Sequence, residues 1–222
     1  MKKTLDRNDK ILFATQIRAK EIWKLLKKLY PENKTALHYT NPLQLLISVI
    51  LSAQCTDVRV NLVTPTLFAR YKTVEDFAFA DQKELEKFIH STGFYHNKAR
   101  NIIACCNELL SKHNGKVPDT MDELFQLPGV GRKTANVVLG EAFGKIEGIV
   151  VDTHVTRLSQ RFGFTKETDA VKIENDLMPL IPKKDWFHFS HALIFHGRKI
   201  CSARKPLCAE CTLNKLCPSA IV

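Results

Sequence analysis

Four cysteines near the carboxyl terminus are the residues whose types and spacing constrain the chemistry most tightly. They are Cys201, Cys208, Cys211 and Cys217, in the pattern C-x6-C-x2-C-x5-C. Four thiolates this close in sequence can bind a soft metal centre, either a tetrahedral zinc ion or an iron–sulfur cluster. The wide first and last gaps suit a cluster better, because structural zinc sites usually consist of two close pairs. Spacing alone leaves both centres open.

The alternative use of these cysteines is a pair of disulfides, which would need an oxidising compartment. The amino-terminal segment becomes charged before any apolar run develops, so we expect no export signal. The most apolar stretch, 43–53, is too short for a membrane span and predicts a buried helix. The other cysteines, Cys55, Cys105 and Cys106, fall on helical patterns and are expected to be buried, reduced thiols. The sequence therefore predicts a cytoplasmic protein.

A second chemical feature is the segment LPGVGRKT at 127–134, between a short capped helix and an apolar helix. Its glycines would permit a tight turn and let backbone N–H groups approach a phosphate, and the N-terminus of the next helix also favours an anion. The region of about 121–143 therefore predicts a helix-hairpin-helix, although such a turn can also be a plain connection between helices. The DNA-binding candidates in it are Gly129, Val130, Gly131 and Arg132.

Two candidate catalytic side chains accompany this hairpin. An unprotonated Lys133 amine could attack the C1′ carbon of a sugar and form a Schiff base, although a lysine beside such a turn more commonly contacts phosphate. Asp152 precedes a predicted helix, so its plain role is an N-cap. Its carboxylate could also stabilise positive charge on a sugar as a base departs. His154 could orient Asp152, contact a phosphate or lie on the helix surface.

Helices must position these residues, because helical patterns run almost end to end and alternating strand patterns are nearly absent. We therefore predict an all-α fold. An apolar stripe over 11–29 predicts the first helix, and Asn41-Pro42 predicts the start of the second. The spacing of Asp81 with Glu84, and of Thr120 with Glu123, predicts helix starts near 82 and 121. Further helices are predicted over about 96–112, 132–143, 153–162, 169–180 and 185–199.

The charge balance favours a polyanionic partner, although basic residues can also form nothing more than a solvated surface. The chain has 33 Lys and Arg against 23 Asp and Glu, a formal net charge of +10, and basic residues concentrate in the tail around the cysteines. Arg204 and Lys205, between the first two cysteines, are candidates for phosphate contacts. His188, His191 and His196 precede the array and could suggest a mixed histidine and cysteine site. Their apolar helix favours packing and hydrogen-bonding roles instead.

Taken together, several motifs resemble those of the endonuclease III family of helix-hairpin-helix base-excision DNA glycosylases. The resemblance is carried by LPGVGRKTANVVL, by VDTHVTRL at 151–158, by SAQ at 52–54 and GFY at 93–95, and by the cysteine array, in the right order. It covers nearly the whole chain. It implies two helical domains: a six-helix barrel over 35–146 that contains the hairpin, and a domain of residues 1–34 and 147–222 that holds a [4Fe-4S] cluster.

The resemblance also implies roles for individual residues. Lys133 would be the Schiff-base nucleophile and Asp152 the catalytic aspartate. Gln54 would enter the space left by a flipped nucleotide, and Phe94 would be an apolar wedge at the opposite strand. Many relatives have leucine at the Phe94 position, which bears on the preference for the opposing base.

The implied activity is that of a bifunctional DNA glycosylase and abasic-site lyase acting on oxidised pyrimidines. Its expected partner is duplex DNA with damaged bases or abasic sites, bound by a monomer associated with the nucleoid and not with a membrane. One alternative is a monofunctional mismatch glycosylase, which would be expected to lack a lysine at position 133. The other is a DNA-binding module without catalytic activity.

Overall fold

The structure is a computed structural model that describes residues 7–31 and 35–221. Within those ranges every regular element is a helix and no β-strand is present, which confirms the predicted all-α class. None of the helices in these ranges is both long and apolar enough to cross a bilayer.

The chain divides into two compact units. The central unit comprises residues 35–147, and the terminal unit comprises residues 1–34 and 148–222. The boundary on the carboxyl side lies one residue beyond the expected one. Residues 1–6, 32–34 and 222, which the predicted domains included, lie outside the described part of the chain.

The central unit contains seven α-helices within the described residues. They are α2 (Pro42–Leu51), α3 (Asp57–Arg70), α4 (Val74–Ala78), α5 (Gln82–Ile89), α6 (Tyr95–His113), α7 (Met121–Gln126) and α8 (Arg132–Phe143), with a 3-10 turn at His90–Thr92 between α5 and α6. α2 packs against α8, and α4 and α5 pack against α6. The predicted helix starts at 82 and 121 are confirmed.

Local capping explains where these helices begin. Asn41 accepts the Gln44 N–H at 2.9 Å ahead of Pro42, and Asp81 accepts the Glu84 N–H at 2.8 Å. Each bond satisfies a backbone donor that has no partner inside its helix. α2 is buried at every position of 45–51, as expected for a helix that is apolar all round.

The terminal unit contains four α-helices within the described residues. They are α1 (Arg7–Leu29), α9 (Thr153–Arg161), α10 (Ala170–Leu177) and α11 (Trp186–Lys199), with 3-10 turns at Lys183–Asp185, Cys208–Glu210 and Asn214–Leu216. α11 packs against both α1 and α9. The last two turns belong to the cysteine loop, the segment 201–217 that carries the four cysteines, and this segment has little other regular structure.

The apolar stripe predicted along α1 is buried only in part. Ile22 and Leu26 are fully buried, whereas Leu12 and Ile17 are 52% and 51% exposed. Ile17 lies on the opposite side of the helix from Ile22, and Leu12 lies N-terminal to the packed turns. The side chain of Ile11 is outside the described part of the chain.

One cysteine assignment is wrong. Cys105 and Cys106 are buried on α6 as expected, but Cys55 lies half-buried in the loop between α2 and α3. α2 ends at Leu51 and Thr56 caps the next helix by accepting the Arg59 N–H. The turn chemistry between them overrides the helical pattern. None of the seven cysteines is in a disulfide.

Candidate nucleic-acid interface and cysteine cavity

α7 and α8 flank the predicted hairpin in the central unit. The Val130 N–H donates to the Leu127 carbonyl at 3.1 Å and closes the turn. Gly129 lies at φ +78°, and a Cβ there would be 2.9 Å from the Cβ of Asn101. Glycine is therefore required both by backbone conformation and by space.

Gly131 does not need the conformational freedom of glycine. It lies at φ −90° and ψ 174°, a conformation open to any residue, and its part in phosphate access stays a prediction. A Cβ at Gly131 would meet nothing within 4 Å. The open space adjoins the N-terminus of α8, where the first N–H groups have no partner inside the helix and favour an anion.

The side chains around this turn divide between core and surface. Val130 is only 6% exposed and belongs to the core of the central unit, so any DNA contact it makes would be through its backbone. Arg132 and Lys133 are the first two residues of α8 and both are exposed. The candidate nucleophile is thus in the first turn after the hairpin and accessible.

Gln54 and Phe94 are placed on two other loops of the central unit. Gln54 follows α2, and Phe94 precedes α6. Both are exposed, Phe94 by 61%. Both also lie in the left-handed region, at φ 53° and φ 49°, which costs a residue with a Cβ roughly 1–2 kcal/mol. Exposure with strained backbone is typical of functional positions.

In the terminal unit, Asp152 is the N-cap of α9. Its Oδ1 accepts the N–H groups of His154 at 2.8 Å and Val155 at 2.9 Å. Asp152 therefore has the N-cap role that the sequence predicted. Because one oxygen makes both bonds, the carboxylate is held in a fixed orientation while Oδ2 makes no hydrogen bond with any described residue.

His154 contacts protein groups on α9. Its Nδ1 lies 3.1 Å from Nη2 of Arg157, and Arg157 donates to the carbonyls of Gly197 at 3.1 Å and Cys201 at 3.0 Å. α9, which Asp152 caps, is thereby joined to the backbone of Cys201. His154 takes part in this connection, whereas its predicted DNA contact stays a prediction.

The four carboxyl-terminal cysteines line one cavity of about 170 Å³ in the terminal unit. Burial raises the pKa of the Cys211 thiol, and the neighbouring Cys201, Cys217 and Cys208 raise that pKa further. Burial and the charges of Cys201 and Cys208 act on Cys217 in the same direction. Four thiolates here would repel one another, so the donor set suits a positively charged, thiophilic centre.

Two further residues contact the cysteine sulfurs. Nη1 of Arg161 donates to Sγ of Cys201 at 3.0 Å. Nε2 of His196 lies 3.5 Å from Sγ of Cys211, while its Nδ1 lies 3.0 Å from the hydroxyl of Tyr30. Burial lowers the pKa of His196 to about 4, so its ring is neutral near pH 7. Such contacts orient and tune metal ligands.

Sequence reasoning missed Arg161 and expected packing and hydrogen bonds of His196 without naming its contact with a cysteine sulfur. No local pattern marks Arg161, which lies 40 residues before Cys201. His188 and His191, by contrast, contact groups away from the sulfurs: Nε2 of His188 lies 2.6 Å from the Tyr30 carbonyl, and the His191 ring packs against Phe187. Among the described residues, no three or more His, Cys, Asp or Glu side chains are grouped to hold a single metal ion; a four-iron cluster takes one cysteine at each iron and does not require such a group.

Arg204 and Lys205 are exposed on the loop between Cys201 and Cys208. The Ser202 hydroxyl donates to the Lys205 carbonyl at 2.6 Å, and Arg161 donates to the carbonyls of Ser202 and Ala203. The loop backbone is therefore fixed while its two cationic side chains project to the surface.

Comparison with known proteins places this geometry in a family. Residues 47–183 match the family model described as HhH-GPD superfamily base excision DNA repair protein. An endonuclease III of Synechocystis is 58% identical over 203 residues, which cover 91% of this chain and 93% of that protein. A trapped endonuclease III–DNA covalent intermediate, an estranged-adenine complex, has a TM-score of 0.89 at 46% identity and covers 92% of this chain and 96% of its own.

A solved non-covalent endonuclease III–DNA complex has a TM-score of 0.88, again at 46% identity and with the same coverage of both chains. Sequence similarity of this extent, over 91% to 92% of the chain, is beyond what a shared fold alone explains. The chain therefore belongs to the endonuclease III family, within the HhH-GPD superfamily of base excision DNA repair proteins.

Proposed function

We propose that the protein is a bifunctional DNA glycosylase and abasic-site lyase that removes oxidised pyrimidines from duplex DNA. The observation that carries the proposal is the exposed Lys133 in the first turn after the hairpin. A lysine at this position supplies the amine that a lyase needs and that a monofunctional glycosylase lacks. Family membership supports base excision as the setting of this chemistry.

The reaction begins with extrusion of the damaged nucleotide, because its base is unreachable within the stack. The neutral amine of Lys133 attacks C1′, and the C1′–N bond to the base breaks. The departing base takes up a proton. The covalent adduct opens to a Schiff base, loses a proton from C2′ and expels the 3′ phosphate by β-elimination. The trapped covalent complex of a related endonuclease III supports a protein nucleophile of this kind.

Asp152 has a separate task in this scheme. Its carboxylate, oriented by two N-cap hydrogen bonds, stabilises the positive charge that develops on the sugar as the base leaves. It also accepts and releases protons during the reaction.

The remaining predicted contacts describe how duplex DNA is held. Backbone N–H groups of the hairpin, including those of Gly129, Val130 and Gly131, would bind phosphate, with Arg132 beside them. Arg204, Lys205 and His154 would add phosphate contacts from the terminal unit. Gln54 and Phe94 would fill the space of the extruded nucleotide. A monomer in the cytoplasm, associated with the nucleoid, suits a substrate of this type.

The cysteine cavity would hold a [4Fe-4S] cluster, with Cys201, Cys208, Cys211 and Cys217 as its four ligands. The supporting observations are the shared cavity and the hydrogen-bond donors around it. When bound, the cluster would cross-link the cysteine loop and keep Arg204 and Lys205 in place. Iron and acid-labile sulfide analysis of anaerobically purified protein should give about four of each per chain, whereas one zinc per chain would contradict the cluster.

Borohydride trapping tests the activity directly. The wild-type protein, incubated with a duplex containing one thymine glycol or one abasic site and then reduced, should form a covalent adduct with each. Lys133→Gln should form neither while its DNA binding stays close to wild type. Lys112→Gln is the matched control, because this lysine lies on α6 and pairs with Glu108. Binding without any wild-type adduct would instead favour a monofunctional enzyme or a non-catalytic module.

Substitution of Asp152 can separate its two roles. Asn is as good an N-cap as Asp, so Asp152→Asn should retain the fold of α9 while removing the negative charge. We expect excision of thymine glycol to slow by about 100-fold or more. Asp152→Ala should lose both the activity and about 1 kcal/mol of stability. Normal excision by Asp152→Asn would rule out the electrostatic role.

A further inference from the structure

The loops that carry Gln54 and Phe94 in the central unit share a single buried donor. Lys98 lies on α6 and is only 5% exposed. Its Nζ donates to the Leu51 carbonyl at 2.7 Å and to the Thr92 carbonyl at 2.9 Å. Lysine is almost never buried to this degree unless it is paired, yet within the described residues no carboxylate forms an ion pair with it. The partners of this ammonium are therefore backbone carbonyls.

Those two carbonyls lie next to the residues expected to enter the duplex. Leu51 is the last residue of α2, three positions before Gln54, and Thr92 ends the 3-10 turn two positions before Phe94. Gln54 and Phe94 are the non-glycine residues held at φ 53° and φ 49°. A conformation that costs free energy persists only where its surroundings fix it, and the ammonium is a contact common to both loops.

The backbone of Lys98 adds a third bond to the same arrangement. Its N–H donates to the Phe94 carbonyl at 3.0 Å, while Nζ holds the carbonyl of Thr92. The turn of Thr92, Gly93 and Phe94 is thus bound at both ends by one residue. On the other side, the ammonium meets the carboxyl end of α2, where the helix dipole favours a cation.

The two buried carbonyls need a hydrogen-bond donor, so an apolar side chain of the same length could not replace Lys98. The donor need not be charged to satisfy them, and burying an ammonium costs solvation free energy. A charged donor is useful here because its hydrogen bonds to two carbonyls are roughly twice as strong as neutral ones and fix the distance between them. These stronger hydrogen bonds offset the solvation cost of burying the ammonium, and they define the spacing of the two loops.

We propose that Lys98 is a positioning residue for nucleotide extrusion, whose ammonium sets the spacing between Gln54 and Phe94 so that both enter the duplex together. The proposal rests on the proposed function. Lys98 does not touch the reacting atoms, and Lys133 remains the nucleophile. Loss of Lys98 therefore impairs extrusion from a duplex and leaves imine formation on an unpaired abasic site unchanged.

The test compares Lys98→Met with wild type on two substrates. On a duplex with one thymine glycol, the single-turnover excision rate should fall by about 10- to 100-fold, the range that misplacement of about 1 Å produces. On a single-stranded abasic oligonucleotide, which has no partner strand to separate, borohydride trapping should stay within about twofold of wild type. Lys112 is an exposed lysine of the same helix. The control substitution Lys112→Met should leave both the excision rate and the trapping unchanged.

A fluorescent base analogue next to the lesion supplies a readout that a loss of stability would not reproduce. Wild-type protein should unstack the analogue and raise its fluorescence, whereas saturating Lys98→Met should raise it much less. In a background of Gln54→Ala and Phe94→Ala, Lys98→Met should have almost no further effect, because residues acting through one another are not additive.

The possible results separate the positioning role of Lys98 from the proposed enzymatic function. Equal loss on both substrates, or full loss added on top of the double alanine background, would overturn the positioning role. If wild type itself traps no adduct, the proposed function fails independently of Lys98. If Lys98→Met does not fold, Lys98→Arg takes its place: it keeps a buried cation with altered donor geometry, and a loss confined to the duplex substrate is again expected.

Discussion

At the scale of single residues, the hairpin depends on Gly129 for the shape of its turn and, we expect, on Gly131 for access of a phosphate to the N-terminus of α8. Gly129→Ala should lower the free energy of unfolding by about 1–3 kcal/mol, because it forces an unfavourable φ on alanine and brings Cβ to 2.9 Å from Asn101. DNA affinity should fall as well. Urea unfolding and binding to an abasic-site duplex measure the two effects.

Gly131→Ala is the matched control for that substitution. Its φ is ordinary and its surroundings are open, so stability should change by less than about 0.5 kcal/mol. If a phosphate approaches the α8 N-terminus here, the added methyl group should still weaken DNA binding. Unchanged stability in Gly129→Ala would show that the turn is not constrained as described.

At the scale of elements, Asp185 joins α1 to the turn before α11. Its Oδ2 accepts Nε1–H of Trp23 at 3.0 Å, and its Oδ1 accepts from Nζ of Lys27 at 2.9 Å. Burial alone would raise the pKa of Asp185, but the hydrogen bonds from Lys27 and Trp23 and the charge of Lys27 outweigh it, so the pKa lies below its ordinary value.

This lowered pKa gives a prediction with a defined pH dependence. Asp185→Asn should reduce the free energy of unfolding by about 1–2 kcal/mol near pH 7. The contribution of Asp185 is fully present above the carboxyl pKa of the unfolded chain and disappears as pH falls through the lower, folded-state pKa. The difference between wild type and Asp185→Asn should therefore shrink toward zero in acid.

Urea unfolding of both proteins at pH 7 and at about pH 3 checks this dependence. Glu167→Gln is a suitable control, because Glu167 lies 3.8 Å from an exposed lysine, Lys172, and such surface pairs contribute little. A difference between Asp185→Asn and wild type that is equally large at both pH values would contradict the assignment.

At the scale of the whole molecule, a formal charge of +10 should make DNA affinity strongly dependent on salt. Each phosphate neutralised releases counterions, so the logarithm of the binding constant falls linearly with the logarithm of salt concentration. Removing both loop cations, Arg204→Gln with Lys205→Gln, should reduce that slope by about 2. Titration of an abasic duplex between low and moderate salt measures it.

Lys172→Gln, on α10, is the control for removal of a cation elsewhere. It should leave the slope unchanged if Lys172 lies away from the bound duplex. A double loop variant with the wild-type slope would mean that the cysteine loop does not reach phosphate.

Several features were determined by the sequence alone because they depend on residues close together in the chain. The caps at Asp81 and Thr120 placed two helix starts correctly, since an N-cap bond spans three residues. The PGVG turn and the spacing of the cysteines act over similar distances. These local signals, with the order of the motifs, were sufficient for the all-α class and for the family.

Other features were decided only by the tertiary structure, because they join residues far apart in sequence. The apolar periodicity predicted a stripe along α1, but it does not show how far along α1 the contact with α11 extends. The exposure of Leu12 was therefore not predicted. Arg161 reaches Cys201 across 40 residues. Lys98 reaches Leu51 across 47, and its position on the buried face of α6 beside Ala99 and Ile102 does not say which carbonyls it meets. Such contacts are set by how the helices pack.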